Sequence, residues 1–201
     1  MQKENWGRRG CHSAPPQQET NVRKREKKKW KIETERLEII ALTPDRLALW
    51  TNDTAKLEKE MDCTYLAEPM EGIFREIVCG QVDKAQNDPD NYQWHTFWFM
   101  IRKSDRSVVG SIDFKDVPSP EGKVEIGYGL GKEFEHYGYM TEAVEAFCRF
   151  ALQQEGVQCV TAETDLDGYA SQRILKRCGF VEDSRGETVW WKLLPGQFIK
   201  R

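Results

Sequence analysis

The sequence predicts a mixed α/β domain of the α+β kind, one sheet with its elements in the order βααβββαβαββ. Three observations lead there. Strand-like runs follow one another between residues 94 and 130, with connections too short for crossovers, which makes them an antiparallel meander. A single apolar stripe of helical period follows at Met140, Ala143, Val144, Phe147, Cys148 and Ala151. Strand and helix signals then alternate to residue 194.

Each element has its own signal. Thr34–Thr43 (TERLEIIALT) reads as a strand, closed by Thr43-Pro44, a cap followed by a residue suited to the first helical turn. Asp45–Glu60 carries helical material with Leu47, Leu49, Trp50 and Leu57, and Pro69 breaks the chain. Met70–Ala85 is a second helix on the spacing of Ile73, Phe74, Ile77, Val78 and Val82, and Asn87–Asn91 ends it. Trp94–Ile101, Ser107–Phe114 and Lys123–Leu130 form the meander, turning at Lys103–Arg106 and Val117–Gly122. The striped helix stops at Gly156. Val157–Thr164 alternates as a strand, Ala170–Arg177 is a short helix, and Gly179 suits its left-handed end. Phe180–Asp183 and Thr188–Leu194 make a final hairpin about Ser184-Arg185-Gly186.

The 201 residues carry a net charge of −3, which conceals an asymmetry. Residues 1–31 hold ten Lys/Arg against three Glu, while the rest hold 20 basic against 30 acidic residues. We therefore read residues 1–31 as a basic extension, expected to be disordered, and 32–201 as the folded domain. Nucleic acid enters as a partner only through that extension. No stretch has the roughly 18 uncharged apolar residues a membrane span needs. Six cysteines form no CxxC pair and no histidine stands at zinc-finger spacing, so no metal is expected. With no apolar leader before the domain, reduced thiols and a cytoplasmic location are the expectation.

The segment that carries chemistry is Glu125–Glu142, EIGYGLGKEFEHYGYMTE. A glycine-bearing strand runs through a short loop into the striped helix. The first turn of a helix offers unpaired N–H groups and a partial positive charge, which is where a phosphate binds. Gly138 lets backbone approach it. An ordinary sheet-to-helix turn has the same look, so on residues alone both readings stand.

Four stretches decide between them by resemblance. TERL (Thr34–Leu37), EIGYGL (Glu125–Leu130), GYMTEAV (Gly138–Val144) and ETDLDGYASQRILKRCGF (Glu163–Phe180) are similar to the corresponding parts of the GNAT N-acetyltransferases, within the RimJ/RimL-like group of ribosomal-protein N-terminal acetyltransferases. The resemblance spans about residues 32–194. It implies the acyl-CoA N-acyltransferase fold and acetyl-CoA as co-substrate. The family's loop pattern Q/R-x-x-G-x-G/A falls on Glu135, His136, Tyr137, Gly138, Tyr139 and Met140. Glu135 replaces Gln/Arg, Met140 replaces the closing Gly/Ala, and Gly168 stands where Asn is common. Met140 is expected to turn into the core, and Gly168 to loosen the turn before Ser171.

The resemblance also implies direct transfer in a ternary complex, without a cysteine acyl carrier. Such transfer needs a deprotonated amine, a donor for the oxyanion and a proton for the thiolate. Splaying of Glu125–Leu130 from Val157–Thr164 would admit the pantetheine arm, with a backbone N–H of Tyr128, Gly129 or Leu130 receiving the acetyl carbonyl. Ser171 is the expected group near the leaving sulfur, although Ser at a helix start also serves as a cap. Tyr137 and Tyr169 are the weaker alternatives for that group, with packing as their first expectation. Glu125 and Glu163 are the candidate bases, while Asp165 and Asp167 fall at a turn.

An acidic domain favours a cationic primary amine as acceptor: a protein N-terminus, a polyamine or an aminoglycoside. The aromatic run Trp94–Phe99 and the helix Met70–Ala85 line the acceptor pocket or form core. The competing function is a binding module, an acetyl-CoA sensor or a ribosome-associated adaptor led by the basic extension. Either a monomer or a homodimer is open, since Val189-Trp190-Trp191 could pair with a second chain or pack.

Overall fold

The computed structural model describes residues 30–198; the basic extension therefore lies almost wholly outside the described residues. The described residues begin two before the expected domain boundary. Trp30 stacks edge-on against Phe150, and β1 (Lys31–Glu33) pairs antiparallel with β2 (Leu37–Ala41). The run read as one strand, Thr34–Thr43, is thus the turn and second strand of a hairpin whose first strand lies before it. Its turn closes where Thr34 Oγ1 accepts from Leu37 N at 2.9 Å, a local side-chain bond that competes with continued strand.

The first helical region also divides. Thr43 caps α1 (Pro44–Asn52), with Pro44 at its start as expected. Asp53 then ends that helix and accepts from Lys56 N at 3.0 Å, capping α2 (Thr54–Met61). A two-residue strand follows, β3 (Thr64–Tyr65), too short to show any periodicity. Next come α3 (Gly72–Asn87), β4 (Phe97–Arg102), β5 (Ser107–Phe114), β6 (Lys123–Leu130), α4 (Tyr139–Ala151), β7 (Cys159–Asp165), α5 (Tyr169–Cys178), β8 (Val181–Arg185) and β9 (Thr188–Leu193). The meander strands β5 and β6 have the expected boundaries. On α3 the buried stripe is Val78, Gln81 and Ala85; Ile73 and Ile77, expected inside, are exposed.

The sheet runs β1-β2-β4-β5-β6-β7-β9-β8, with β3 parallel to the start of β5. Helices cover both faces. On one, Trp50 of α1 meets Phe97, Phe99, Tyr65 and Phe74 edge to face at 4.8–5.6 Å. On the other, Phe147 of α4 stacks on Phe114 at 4.2 Å and meets Trp98 at 5.2 Å. Residues 94–99 are all buried, so the aromatic run is core. β9 lies between β7 and β8 with both edges paired; its tryptophans pack within the domain and offer no free edge to a second chain. Among the described residues, no helix is long and apolar enough to cross a membrane, and Cys63, Cys79, Cys148 and Cys159 are free thiols.

Candidate functional site

One irregularity in the sheet organises everything near it. β6 and β7 pair in parallel only through Lys123–Glu125 and Cys159–Thr161. Beyond that point β6 stays with β5, and β7 stays with β9, to their ends. The two strands splay as expected, and the gap opens toward the chain segments that lead into α4 and α5. Side chains alternate across β6. Val124, Ile126 and Tyr128 face α4 and α5, leaving Glu125, Gly127 and Gly129 on the face covered by α1 and α3.

The loop before α4 is shaped for an anion. His136 and Gly138 both adopt left-handed φ, 67° and 82°, on either side of Tyr137. A Cβ at Gly138 would meet only Arg36 Nη2, at 3.5 Å, so conformation and not space calls for glycine here. Gly138 is the N-cap of α4 and supplies no side-chain bond, and the first helical bond is Glu142 N to Gly138 O at 3.1 Å. The amides of Tyr139, Met140 and Thr141 are therefore left without an intrahelical acceptor, the feature that suits a phosphate.

Arg36 holds this loop in place. Its Nε donates to Glu142 Oε2 at 2.7 Å, its Nη1 to the Tyr137 carbonyl at 2.9 Å, and its guanidinium lies 4.6 Å from the Tyr139 ring centroid. Glu142 Oε1 also accepts from Thr34 Oγ1 at 2.5 Å and from Arg36 N at 2.9 Å. Burial alone would push the Glu142 carboxyl up. The hydrogen bonds from Thr34 and Arg36 outweigh it and hold the group below its ordinary value. Thus TERL and GYMTEAV, a hundred residues apart, form one contact. Beside it lies a groove of about 910 Å³, whose lining includes Arg36, Gly138, Arg149 and Arg177.

The departures from the loop pattern are accommodated unequally. Met140 is 4% exposed and fills the core as expected. Gly168 does cap α5 without a side-chain bond, yet the turn is held: Gln172 Nε2 donates to the carbonyls of Asp165 and Leu166 at 2.9 and 3.2 Å. Glu135 keeps its side chain half exposed, 3.9 Å from His136 Nε2.

Across the gap, Tyr128 Oη lies 2.6 Å from Ser171 Oγ. Ser171 is the third residue of α5 while Gly168 is the cap, so its hydroxyl is committed to Tyr128 rather than to helix capping. Burial pushes the Tyr128 hydroxyl well up, with the Ser171 bond acting against it. Sequence reasoning took Tyr128 for its backbone only; nothing in one sequence says that its side chain reaches α5. Tyr137 and Tyr169 are exposed.

The candidate bases separate. Glu125 is half-buried, and burial raises its carboxyl; Lys115 opposes the rise, while Glu163 and Asp113 reinforce it. Glu163 is exposed and accepts from Thr188 Oγ1 at 2.5 Å. Asp113, not anticipated, is 2% exposed and is raised by burial against Lys115, whose Nζ stands 3.3 Å from its Oδ2. Among the described residues, no three His, Cys, Asp or Glu side chains group in a way that could hold a metal ion.

The sequence model for the acetyltransferase (GNAT) domain matches residues 36–181. The chain belongs to the GNAT family. A relative in Bacillus subtilis (strain 168), the uncharacterized N-acetyltransferase YjdG, is 32% identical over 84 residues, 42% of this chain and 50% of that one. The chain thus matches about half the length of the curated relatives it resembles. The GNAT fold is shared with the ribosomal-protein-S5-alanine acetyltransferase from Vibrio fischeri, at a TM-score of 0.62 and 12% identity over 85% of this chain and 100% of that one. It is also shared with RimL, a ribosomal L7/L12 α-N-protein acetyltransferase solved in complex with coenzyme A. There the TM-score is 0.59 at 13% identity, over 82% of this chain and 98% of that one.

Proposed function

We propose that this protein transfers the acetyl group of acetyl-CoA directly to a primary amine. The observation that carries the reading is the gap between β6 and β7, with an uncapped helix N-terminus at its open end and the Tyr128–Ser171 pair across it. The amides of Tyr139, Met140 and Thr141 fit a pyrophosphate, and β6 from Tyr128 to Leu130 borders the gap where a pantetheine arm would run. Acetyl-CoA, when bound, supplies an activated thioester.

The chain's own groups supply the rest. The Ser171 and Tyr128 hydroxyls are hydrogen-bonded across the gap, and one of them can give its proton to a departing thiolate. Glu125, raised by burial, can take the proton that the amine loses, directly or through water. The excess of acidic residues in the domain favours a cationic acceptor, a protein N-terminus, a polyamine or an aminoglycoside.

Free-thiol release from acetyl-CoA, followed by mass spectrometry with peptides, polyamines and aminoglycosides side by side, tests the reading. Amine-dependent release with an acetylated product is the expected result; release with none of the amines would overturn it. Where transfer occurs, the pH profile tests Glu125. Because its carboxyl is raised, kcat/KM should climb with pH through a midpoint above the ordinary carboxylate value, and Glu125→Gln should abolish that limb. Glu163→Gln removes a negative neighbour, so it should move the midpoint to lower pH.

A further inference from the structure

On the α3 side of the gap, β6 presents Gly127 and Gly129 as bare backbone, and charged side chains fill the spaces. A Cβ at Gly129 would stand 2.6 Å from Glu68 Oε2, whereas one at Gly127 would meet the Lys115 ammonium first and Asp113 Oδ1 next, at 2.9 Å. Asp113 is deeply buried and its Oδ2 accepts no hydrogen bond, with Lys115 alongside at 3.3 Å. Glu68 comes from a different part of the chain, the segment between β3 and α3, which is fixed above the strand. Leu66 N donates to Val108 O at 3.1 Å, and Tyr65 Oη donates to the Glu68 carbonyl at 2.6 Å. The Glu68 backbone is thereby anchored while its carboxylate, among the described residues, has neither a hydrogen bond nor an ion pair.

Glu68 is exposed, so its carboxylate stays solvated and charged over bare strand backbone and is open to a ligand. Lys115 is already beside Asp113 and Glu125, so among the described residues Glu68 has no cation of its own on this side of the gap. It lies over the stretch of β6 that borders the opening.

We propose that Glu68 binds the acceptor amine in its ammonium form, as an N⁺–H···O⁻ pair beside Gly129. This rests on the acetyltransferase reading above and names the residue through which a cationic acceptor enters. A side chain at Gly129 would crowd the carboxylate in this position, and Tyr65 is the positioning residue that sets the height of Glu68 over the strand.

The test uses the full chain, acetyl-CoA and a short peptide amide with a free N-terminus and one lysine. In Glu68→Gln, the peptide KM should rise about tenfold while the acetyl-CoA KM stays within about twofold. Salt adds a readout that a packing role would not move: added salt should raise the wild-type peptide KM and leave that of Glu68→Gln nearly flat. An unchanged peptide KM, or equal salt dependence in both proteins, overturns the proposal. A wild type that acetylates no amine overturns the transferase reading instead. Glu68 is then decided by calorimetric titration of the same peptide into CoA-saturated protein: weaker binding to Glu68→Gln supports the proposal, and equal or absent binding in both proteins overturns it.

Discussion

At the α4 end of the gap, the charged groups that fix the loop, Arg36 and Glu142, are paired with each other. Glu142 collects bonds from Thr34 and Arg36, and Arg36 spends its remaining donor on the Tyr137 carbonyl. At the α3 end, Glu68 is unpaired and Asp113 keeps an oxygen without a hydrogen bond. Both ends flank the same strand, β6, yet one is electrostatically closed and the other open. The difference teaches where each end does its binding. The closed end offers backbone amides, so its side chains are occupied in fixing backbone shape. The open end offers side-chain charge, which has to be left unspent until a ligand arrives.

The sharpest way to break this comparison lies where the ends meet. Ser171→Ala and Tyr128→Phe should each lower kcat by about 10²-fold, with little change in either KM, measured as thiol release at saturating substrates. Because the two hydroxyls share one hydrogen bond, the double variant should be no slower than the slower single one. Losses that multiply would show two independent groups, and the bridge across the gap would lose its assigned role.

The same contrast explains what could be read from the sequence alone. The strands β5 and β6, the striped helix α4 and the loop at Gly138 show in local pattern, since periodicity and turn chemistry are short-range. TERL and GYMTEAV were visible as motifs, but not their contact, because a salt bridge spanning 106 residues is made by topology. The hairpin at Thr34 and the break at Asp53 were hidden by single side-chain bonds inside otherwise continuous patterns. The acceptor side was barely legible. Glu68 reaches Gly129 only because β3 pairs with β5, and a two-residue strand has no period to read.

A smaller effect probes the closed end. Glu142→Gln keeps the shape but loses the charge that Arg36 faces, which should cost about 2 kcal/mol of stability. It should also raise the acetyl-CoA KM several-fold while leaving the acceptor KM alone, the mirror image of Glu68→Gln. The pH sign follows from the lowered carboxyl. Its stabilisation is complete above the unfolded carboxylate value, about 4.3, and is lost as pH falls through the lower folded value. Denaturant melts of the two proteins should therefore converge on acidification below about pH 4 and stay apart at pH 7. A gap that persists in acid would mean that packing, not charge, holds the loop.

The smallest effect belongs to Gly168. Restoring a side-chain cap with Gly168→Asn adds an acceptor for the first amides of α5, and asparagine exceeds glycine as a cap by only a few tenths of a kcal/mol. Against that gain, a Cβ here would come within 3.1 Å of the Asp165 carbonyl, which the Gln172 side chain already holds. The two effects are of similar size and opposite sign. The expected melting shift is within about 2 °C, with kcat unchanged, because Ser171 is oriented by Tyr128 and not by the cap. A gain of several degrees accompanied by a change in kcat would show that the turn governs Ser171 after all, and that the departure at this position matters to the chemistry.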